Sequence, residues 1–328
     1  MNIAFLGDIV VDSEIKVNSE VSSFFKDVDI VIANLEGIIL RQGKRPSPFK
    51  TYGSVVYNDY DSVMRLIETV GITHVNLYNN HMVDYGEGQF ERTLEILTKA
   101  GINVLLEKTD LKIGAETIKL HNSGLAETFG IYDVSRKFGQ NINDMLLDVK
   151  PEEKWASSII YTHFGIEQVS GLSNYEYHWF NRMTQNNPRI IVRHHPHCIQ
   201  NPFQLNGVPC FPSIGDFAFN FKKKKVSKGL AVLFDSADFN IDCRIVECKD
   251  YHLKIASEKV HFHDKSAARL SEKELTQLRV RYLNEYREDG SSSFKKAIKY
   301  FIGTEKAEHV LSMSTKHFIQ PFVLDELL

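Results

Sequence analysis

Cysteine, net charge and long apolar runs are all scarce in this sequence, and each scarcity excludes a class of protein. Only four cysteines occur in 328 residues, and no two have CxxC spacing, which argues against a disulfide scaffold and predicts reduced thiols in the cytoplasm. The formal net charge of −3 gives no basic surplus, so we expect no nucleic-acid partner. No window is apolar for the length of a membrane span, and the N-terminal residues lack the basic region and cleavage site of a signal peptide, so we expect neither a span nor a leader.

The pattern of apolar residues predicts a layered α/β domain, because short apolar runs alternate with amphipathic stretches through the first two thirds of the chain. Residues 59–70 and 88–100 have apolar side chains at helical spacing, and each stretch is followed by a glycine that can end a helix. The candidate strands are residues 2–6, 28–33, 73–78, 157–162 and 189–193.

The pattern changes toward the C-terminus. After residue 205, short apolar runs separated by turn residues predict further strands, whereas from residue 271 the chain is charged and has a helical period. We therefore expect an α/β domain at residues 1–250 and a helical C-terminal extension at residues 251–328. This C-terminal segment is also where we expect two copies of the chain to associate, if the protein is a homo-oligomer.

Polar side chains follow each candidate strand directly after its apolar run. Ligands of open α/β sheets bind beyond the carboxyl ends of the strands, so we expect these side chains to meet at one edge. In chain order they are Asp8, Asn34, Glu36, Asn79, Asn80, His81, His163, His194, His195 and His197.

Carboxylates, amides and imidazoles together make a mixed nitrogen and oxygen ligand set. Such a set suits a first-row divalent ion, Mn²⁺, Fe²⁺ or Zn²⁺, better than an all-oxygen Ca²⁺ or Mg²⁺ site. It is large enough for two divalent metal ions, which at a separation of about 4 Å hold the attacking and leaving oxygens of a displacement. Asp8 and Glu36 alone would leave two such ions net positive, so we expect an anionic small-molecule or polymer substrate.

Several short motifs, taken in order, resemble one protein family. They are GDIVVD, NLEG, NNHMVDYGEGQFERTLEILTKAGI, HFGIE, HHPHCIQ and SIGDF, and they cover roughly residues 1–245. Their order and spacing are similar to those of the CapA family of poly-γ-glutamate and capsule synthesis proteins, which is related to the calcineurin-like metallophosphoesterases. The resemblance implies a four-layer metallophosphatase-like β-sandwich flanked by helices. It also implies a metal-dependent hydrolase of the phosphoesterase type in capsule or exopolysaccharide biosynthesis.

The resemblance further implies roles for individual residues. His81 would be the catalytic general acid that protonates the leaving group, and a hydroxide between the metals would be the nucleophile. One metal ion would be held by Asp8, Glu36 and His197, and the other by Glu36, Asn80, His163 and His195.

Three further residues, Asn34, Glu167 and Lys50, are predicted to bind substrate. Glu167 could equally orient a ligand or form a salt bridge in its loop. Lys50 ends a basic loop that could simply be solvated. We expect His194 to be structural and Asp84 to shape a turn.

Three positions depart from the family pattern. Val10 stands where these phosphoesterases usually carry a histidine, Arg193 replaces the glycine before the double histidine, and Asp216 replaces the asparagine of a GNF motif. Two alternatives therefore stay open. One is an amide-bond enzyme that acts on a polyglutamate-like or amino-acid-decorated polymer, and the other is a non-catalytic scaffold with a decayed metal site.

Overall fold

The structure, a computed structural model, describes residues 1–41, 55–105, 108–113, 116–121, 157–165, 167–220 and 226–260 of the chain. Its helices are α1 (Ser19–Phe25), α2 (Tyr60–Val70), α3 (Glu87–Lys99) and α4 (Asn174–Thr184). Its strands are β1 (Asn2–Val10), β2 (Lys16–Val17), β3 (Ile30–Leu35), β4 (Ile38–Leu40), β5 (Tyr57–Asp59), β6 (His74–Asn76), β7 (Asn103–Leu105), β8 (Lys108–Ile113), β9 (Glu116–His121), β10 (Ile159–His163), β11 (Ile190–His194), β12 (Ile199–Gln200), β13 (Phe203–Leu205), β14 (Val208–Phe211), β15 (Ser213–Ile214), β16 (Asp216–Phe219), β17 (Val226–Asp235), β18 (Ile241–Lys249) and β19 (His252–Lys259).

Most of these strands belong to two large sheets. The first has the order β2-β19-β18-β17-β1-β3-β6-β7, with β16 also paired to β1, and the second has the order β13-β14-β11-β10-β9-β8. Within the first sheet β1, β3 and β6 are parallel neighbours, and within the second β10 and β11 are parallel. The carboxyl ends of each parallel group therefore lie at one edge of its sheet.

The two large sheets pack face to face over a shared apolar core. Phe5 and Ile32 of the first sheet and Tyr161 and Val192 of the second lie in this core, and all are fully buried. The rings of Phe5 and Tyr161 stack with their centroids 5.9 Å apart. Strands buried on both faces are apolar along their whole length, which is why the sequence shows continuous apolar runs here instead of alternation.

Helices cover the outer face of each sheet. Leu66 of α2 and Leu97 of α3 pack with Leu6 behind the first sheet, and Trp179 of α4 packs with Ile191 behind the second. The described residues thus form four layers in the order helix, sheet, sheet, helix. This arrangement confirms the predicted α/β class and the predicted sandwich.

The predicted strands and helices are confirmed with boundaries shifted by a few residues. The first sheet continues further along the chain than expected, because β19 pairs with β18 as far as Lys259. The sheet therefore extends past the boundary expected near residue 250, and the division of the chain into two parts stays a prediction. The predicted helical segment that follows lies outside the described residues.

The cysteines agree with the expectation of reduced thiols, since all four are free. Burial raises the pKa of Cys243 to about 12 and that of Cys248 to about 11, so both thiols stay protonated. Among the described residues, no helix combines the length and the apolar character that a membrane span needs.

A close backbone contact at Gly7 determines where β1 meets β16. A Cβ atom at Gly7 would lie 1.8 Å from the carbonyl oxygen of Gly215, a distance that no side chain tolerates. The same contact lets the N–H of Asp8 donate to that carbonyl at 3.1 Å, and Asp8 lies opposite Asp216 in the strand register. The absence of a side chain at residue 7 therefore brings two buried carboxylates side by side.

We expect Gly7→Ala to lower the free energy of unfolding by about 3 kcal/mol or more, because the added Cβ forces two closely packed backbones apart. Gly88→Ala is the matched control, since a Cβ there meets no heavy atom within 4 Å. Because Gly88 lies in α3, alanine should leave stability unchanged or raise it by about 0.5 kcal/mol. Chemical denaturation followed by circular dichroism measures both variants, and wild-type stability of Gly7→Ala would contradict this account.

Candidate metal centre

The ends of the central strands bring the predicted ligand residues of both sheets together. Asp8 lies in β1 and Glu36 directly follows β3, while His163 and His194 end β10 and β11 as register partners. All four side chains are buried. The sheets face each other, so the two groups meet, and Nδ1 of His163 lies 3.6 Å from Oδ1 of Asp8.

The HHPH loop carries two more imidazoles in an unusual backbone conformation. His195 and His197 have φ angles of 99° and 53°, in a region that is costly for residues other than glycine. The N–H of His195 donates to Oδ2 of Asp8 at 3.0 Å, and the carbonyl of Pro196 accepts from the N–H of Gln168 at 2.8 Å. These bonds hold the strained loop so that both rings turn into the centre.

Within the described part of the chain, four groups of three side chains could each hold a metal ion, because one donor atom of each member lies within 4.8 Å of the others. The groups are Asp8 with Glu36 and His197, Glu36 with His163 and His195, Asp8 with His163 and His194, and Glu167 with His195 and His197. The first two match the predicted ligand sets apart from Asn80, and they share Glu36. Oδ1 of Asn80 lies 2.9 Å from Nε2 of His163. The structure thus brings all the predicted metal ligands together.

Glu36 has surroundings that a bound cation would satisfy. Its Oε2 is buried and has no hydrogen-bond partner among the described residues, and burial raises the pKa of Glu36 well above its ordinary value. A carboxylate oxygen that is buried without a partner costs free energy. A divalent ion is the partner that a set of carboxylates and imidazoles fits, so the residues present fit a metal.

Asp8, in contrast, is surrounded by hydrogen-bonding groups. Burial opposes its ionisation, but the interactions with His163 and His194 together outweigh burial and lower the pKa of Asp8 well below its ordinary value. Nδ2 of Asn34 donates to Oδ1 of Asp8 at 2.8 Å, and Asn76 donates to Oδ1 of Asn34 at the same distance. Asn34 is fully buried, and in this structure it orients Asp8, while its predicted contact with substrate stays a prediction.

The histidines nearest the second ligand group are neutral. Burial lowers the pKa of His163 to about 3, and burial together with His163 lowers the pKa of His195 well below its ordinary value. A neutral imidazole offers a lone pair to a metal ion. His194 contacts Oδ1 of Asp8 at 3.0 Å and Nδ1 of His163 at 2.8 Å, a position behind Asp8 that is in keeping with its expected structural role.

His81 lies at the edge of the centre, and its two ring nitrogens have different surroundings. Nδ1 lies 2.6 Å from Oδ2 of Asp84, and Nε2 lies 3.5 Å from Oε1 of Glu36. The same Oδ2 accepts from the N–H of Val56 at 2.8 Å. Asp84 therefore orients His81 in addition to its expected place in a turn. The three-residue spacing of the two side chains was the signal that could have indicated this pairing.

Two of the departures from the family pattern change what the first sheet contributes. Val10 packs in an apolar cluster with Ile38 and Val56, so β1 contributes only Asp8 to the centre. Asp216 of β16 is fully buried, and its Oδ1 lies 2.8 Å from Nδ1 of His197. A carboxylate thus enters the centre from the strand beside β1.

The third departure, Arg193, acts on the opposite face of the second sheet. Adjacent residues of a strand face opposite sides, so Arg193 points away from the centre that His194 faces. Its Nη1 donates to Oε1 of Glu176 in α4 at 2.7 Å, and its Nη2 donates to Oε1 of Gln200 at 2.7 Å. Because Arg193 precedes the ligand loop and Gln200 follows it, this bond closes the loop at its base.

The remaining predicted substrate contacts are Glu167 and Lys50. Glu167 is half-buried and lies with His195 and His197 in the fourth group of donor atoms. Lys50 lies outside the described residues. With Glu167 and Asp216, the centre has two carboxylates beyond Asp8 and Glu36.

The fold and the site together define an α/β sandwich with a candidate histidine–carboxylate metal centre at its strand ends. Residues 2–105 match a family described as Bacterial capsule synthesis protein PGA_cap. The chain is 24% identical over 247 residues to the Capsule biosynthesis protein CapA of Bacillus anthracis and 25% identical over 247 residues to the PGA biosynthesis protein CapA of Bacillus subtilis strain 168. The predicted resemblance to the CapA family is confirmed.

These similarities cover part of each protein. Each alignment includes 67% of this chain, and the chain spans 60% of the first relative and 63% of the second. Among solved structures, a single mutant of Vps29 from Entamoeba histolytica aligns with 80% of this chain and 100% of that chain, at 13% identity and a TM-score of 0.33. The fold of this chain is defined by its own strand order and its four layers, and not by this similarity.

We expect Arg193→Met to lower the free energy of unfolding by about 3–5 kcal/mol, because it leaves the buried carboxylate of Glu176 without its charge partner. The double variant Arg193→Met/Glu176→Gln should recover much of this loss, since glutamine is uncharged and can still take part in the capping box of α4. Urea denaturation of both single variants and the double variant forms a double-mutant cycle. Strictly additive losses would contradict the pairing.

Proposed function

We propose that this protein is a metal-dependent hydrolase of the phosphoesterase type with a dinuclear centre, and that it acts in capsule or exopolysaccharide biosynthesis. The observation that carries this proposal is the position of Glu36, which belongs to both predicted groups of ligands. A carboxylate shared by two groups can bridge two ions. The similarity to CapA proteins supports the biological setting.

In this proposal the two divalent ions, Mn²⁺, Fe²⁺ or Zn²⁺, would share Glu36 and have their other side-chain ligands separately. Bound ions would polarise the phosphoryl group and activate a water molecule. Asp8, Glu36 and His197 would hold one ion, and Glu36, Asn80, His163 and His195 the other.

His81 supplies the proton that the leaving group needs. Asp84 holds Nδ1 of the ring at 2.6 Å and would stabilise the ring as an imidazolium, whose Nε2–H faces the centre and is the transferable proton. A positioned general acid beside a pair of ligand groups suits the cleavage of an ester with a poor leaving group.

An amide-linked polymer is the second candidate substrate, and the number of carboxylates favours it. Glu167 and Asp216 join Asp8 and Glu36 at the centre, so four negative charges would balance two divalent ions. Such a centre attracts a phosphate dianion less strongly than the net positive site expected from two carboxylates. An uncharged amide would fit it equally well.

Cytoplasmic location and association of two copies through residues 251–328 stay predictions. The free cysteines are compatible with a reducing compartment. Cell fractionation tests the location, and light scattering of the full chain beside a chain ending at residue 260 tests the association.

We expect His195→Ala to lose one of two bound metal ions, because the second ligand group loses a neutral imidazole. Inductively coupled plasma mass spectrometry after loading with Mn²⁺ and desalting measures the content. His178→Ala, which removes an exposed histidine of α4, should keep both ions. A wild-type protein that takes up no metal would contradict the proposal and support the scaffold alternative.

We expect His81→Ala to keep its metal and to lower kcat by about 10²–10⁴-fold on an aryl phosphodiester of an unactivated phenol, because it removes the general acid that a poor leaving group needs. KM should change little. Steady-state hydrolysis of an aryl phosphodiester and an aryl phosphomonoester with added Mn²⁺ measures both constants. A wild-type protein that binds metal but cleaves neither ester would exclude these substrates and favour the amide-linked polymer.

A further inference from the structure

Asp216 contacts the ring of His197 on the nitrogen that faces away from Glu36. Oδ1 of Asp216 lies 2.8 Å from Nδ1, whereas Nε2 of the same ring lies 3.7 Å from Oε1 of Glu36. Oδ2 of Asp8 is farther from Nδ1, at 3.4 Å, and it already accepts from the N–H of His195 at 3.0 Å. Asp216 is therefore the closer acceptor for Nδ1.

An ionised carboxylate can only accept a hydrogen bond, so it selects the ring nitrogen that carries the proton. When Nδ1–H is donated to Asp216, Nε2 keeps its lone pair on the side of Glu36. Asparagine, the residue that the family pattern predicts here, could present either its oxygen or its amide N–H groups. It would not impose one tautomer on His197.

The backbone holds Asp216 in this position with little freedom. The residue pairs with Asp8 in the register of β1 and β16, and a Cβ atom at Gly229 would lie 2.4 Å from its carbonyl oxygen. The side chain is fully buried. Close backbone packing and burial together keep the carboxylate against His197.

We propose that Asp216 is a positioning residue that fixes the tautomer and orientation of His197, so that Nε2 is the donor atom toward the ion held with Asp8 and Glu36. This inference rests on the proposed metal centre. Since Val10 offers no donor atom, the ion held with Asp8 and Glu36 would have few side-chain ligands. Its affinity would therefore depend strongly on the orientation of His197. Carboxylate partners of ligand histidines orient the ring and raise its basicity in this way.

The first test determines the tautomer of the neutral His197 ring in the metal-free, full-length protein. Burial opposes protonation of this ring, but Glu36 and Asp216 outweigh burial and raise the pKa of His197 well above its ordinary value, so the spectra are recorded at a pH high enough for the ring to have lost its second proton. Long-range ¹H–¹⁵N correlation spectra of the histidine-labelled protein distinguish protonated from unprotonated ring nitrogens, and His197→Gln assigns the signal. We expect Nδ1–H in the wild type and a loss of that preference in Asp216→Ala. Protonation at Nε2 in the wild type would overturn the proposal.

The second test measures metal affinity by calorimetric titration of the full-length protein with Mn²⁺ and with Zn²⁺. Asp216→Ala should bind one of two ions about 10- to 100-fold more weakly, and Asp216→Asn should lose less, because its oxygen can still accept. Asp238→Asn, which changes an exposed aspartate, should match the wild type. Thermal unfolding of the metal-free variants checks that each is folded, and the asparagine variant carries the test if the alanine variant is not.

Failure of this inference differs from failure of the proposed function. A wild-type protein that binds no metal would refute the metal centre, while the tautomer would still show whether Asp216 holds His197. Wild-type affinity for both ions in both Asp216 variants would refute only the role of Asp216.

Discussion

The burial of carboxylates at the strand ends is the constraint on which the rest of the structure depends. A carboxylate removed from water must be paired or hydrogen-bonded, and Asp8 and Asp216 meet this need with imidazoles and backbone donors. Glu36 does not, because one of its oxygens is buried without a partner among the described residues. The centre is therefore arranged around a carboxyl group that the described side chains leave incompletely satisfied, and a cation is the group that would complete it.

The elements around the centre hold the candidate ligand residues in place through hydrogen bonds. Asn34 supports Asp8, Asp84 supports His81, and Arg193 closes the base of the HHPH loop through Gln200. Each support is a hydrogen bond to a charged partner or to a side-chain amide in a buried position, where such bonds are strong and costly to break. The strained backbone of the ligand loop persists because these contacts hold it on both sides.

The balance of charge at the centre bears directly on the substrate. Two carboxylates against two divalent ions would attract anions, which was the basis for expecting an anionic substrate. Asp216 and Glu167 bring two more carboxylates to the same place, so in the proposed dinuclear centre an anion would be attracted by open metal positions or by basic residues rather than by net charge. A phosphodiester, with a single charge, suits such a centre better than a phosphomonoester dianion.

The sequence by itself determined the strands of the sandwich and indicated which polar side chains gather at their ends, because each of these residues, such as Asp8 or His163, lies at or just beyond the end of its own apolar run. The sequence could also have predicted the orientation of Arg193, since alternation along β11 places that side chain on the face opposite His194. Only the tertiary structure decided that Asp216 meets His197 and that the donor atoms of both sheets converge on Glu36. These contacts join residues from distant parts of the chain, and they depend on the close approach of backbones at Gly7, which no local pattern of residues encodes.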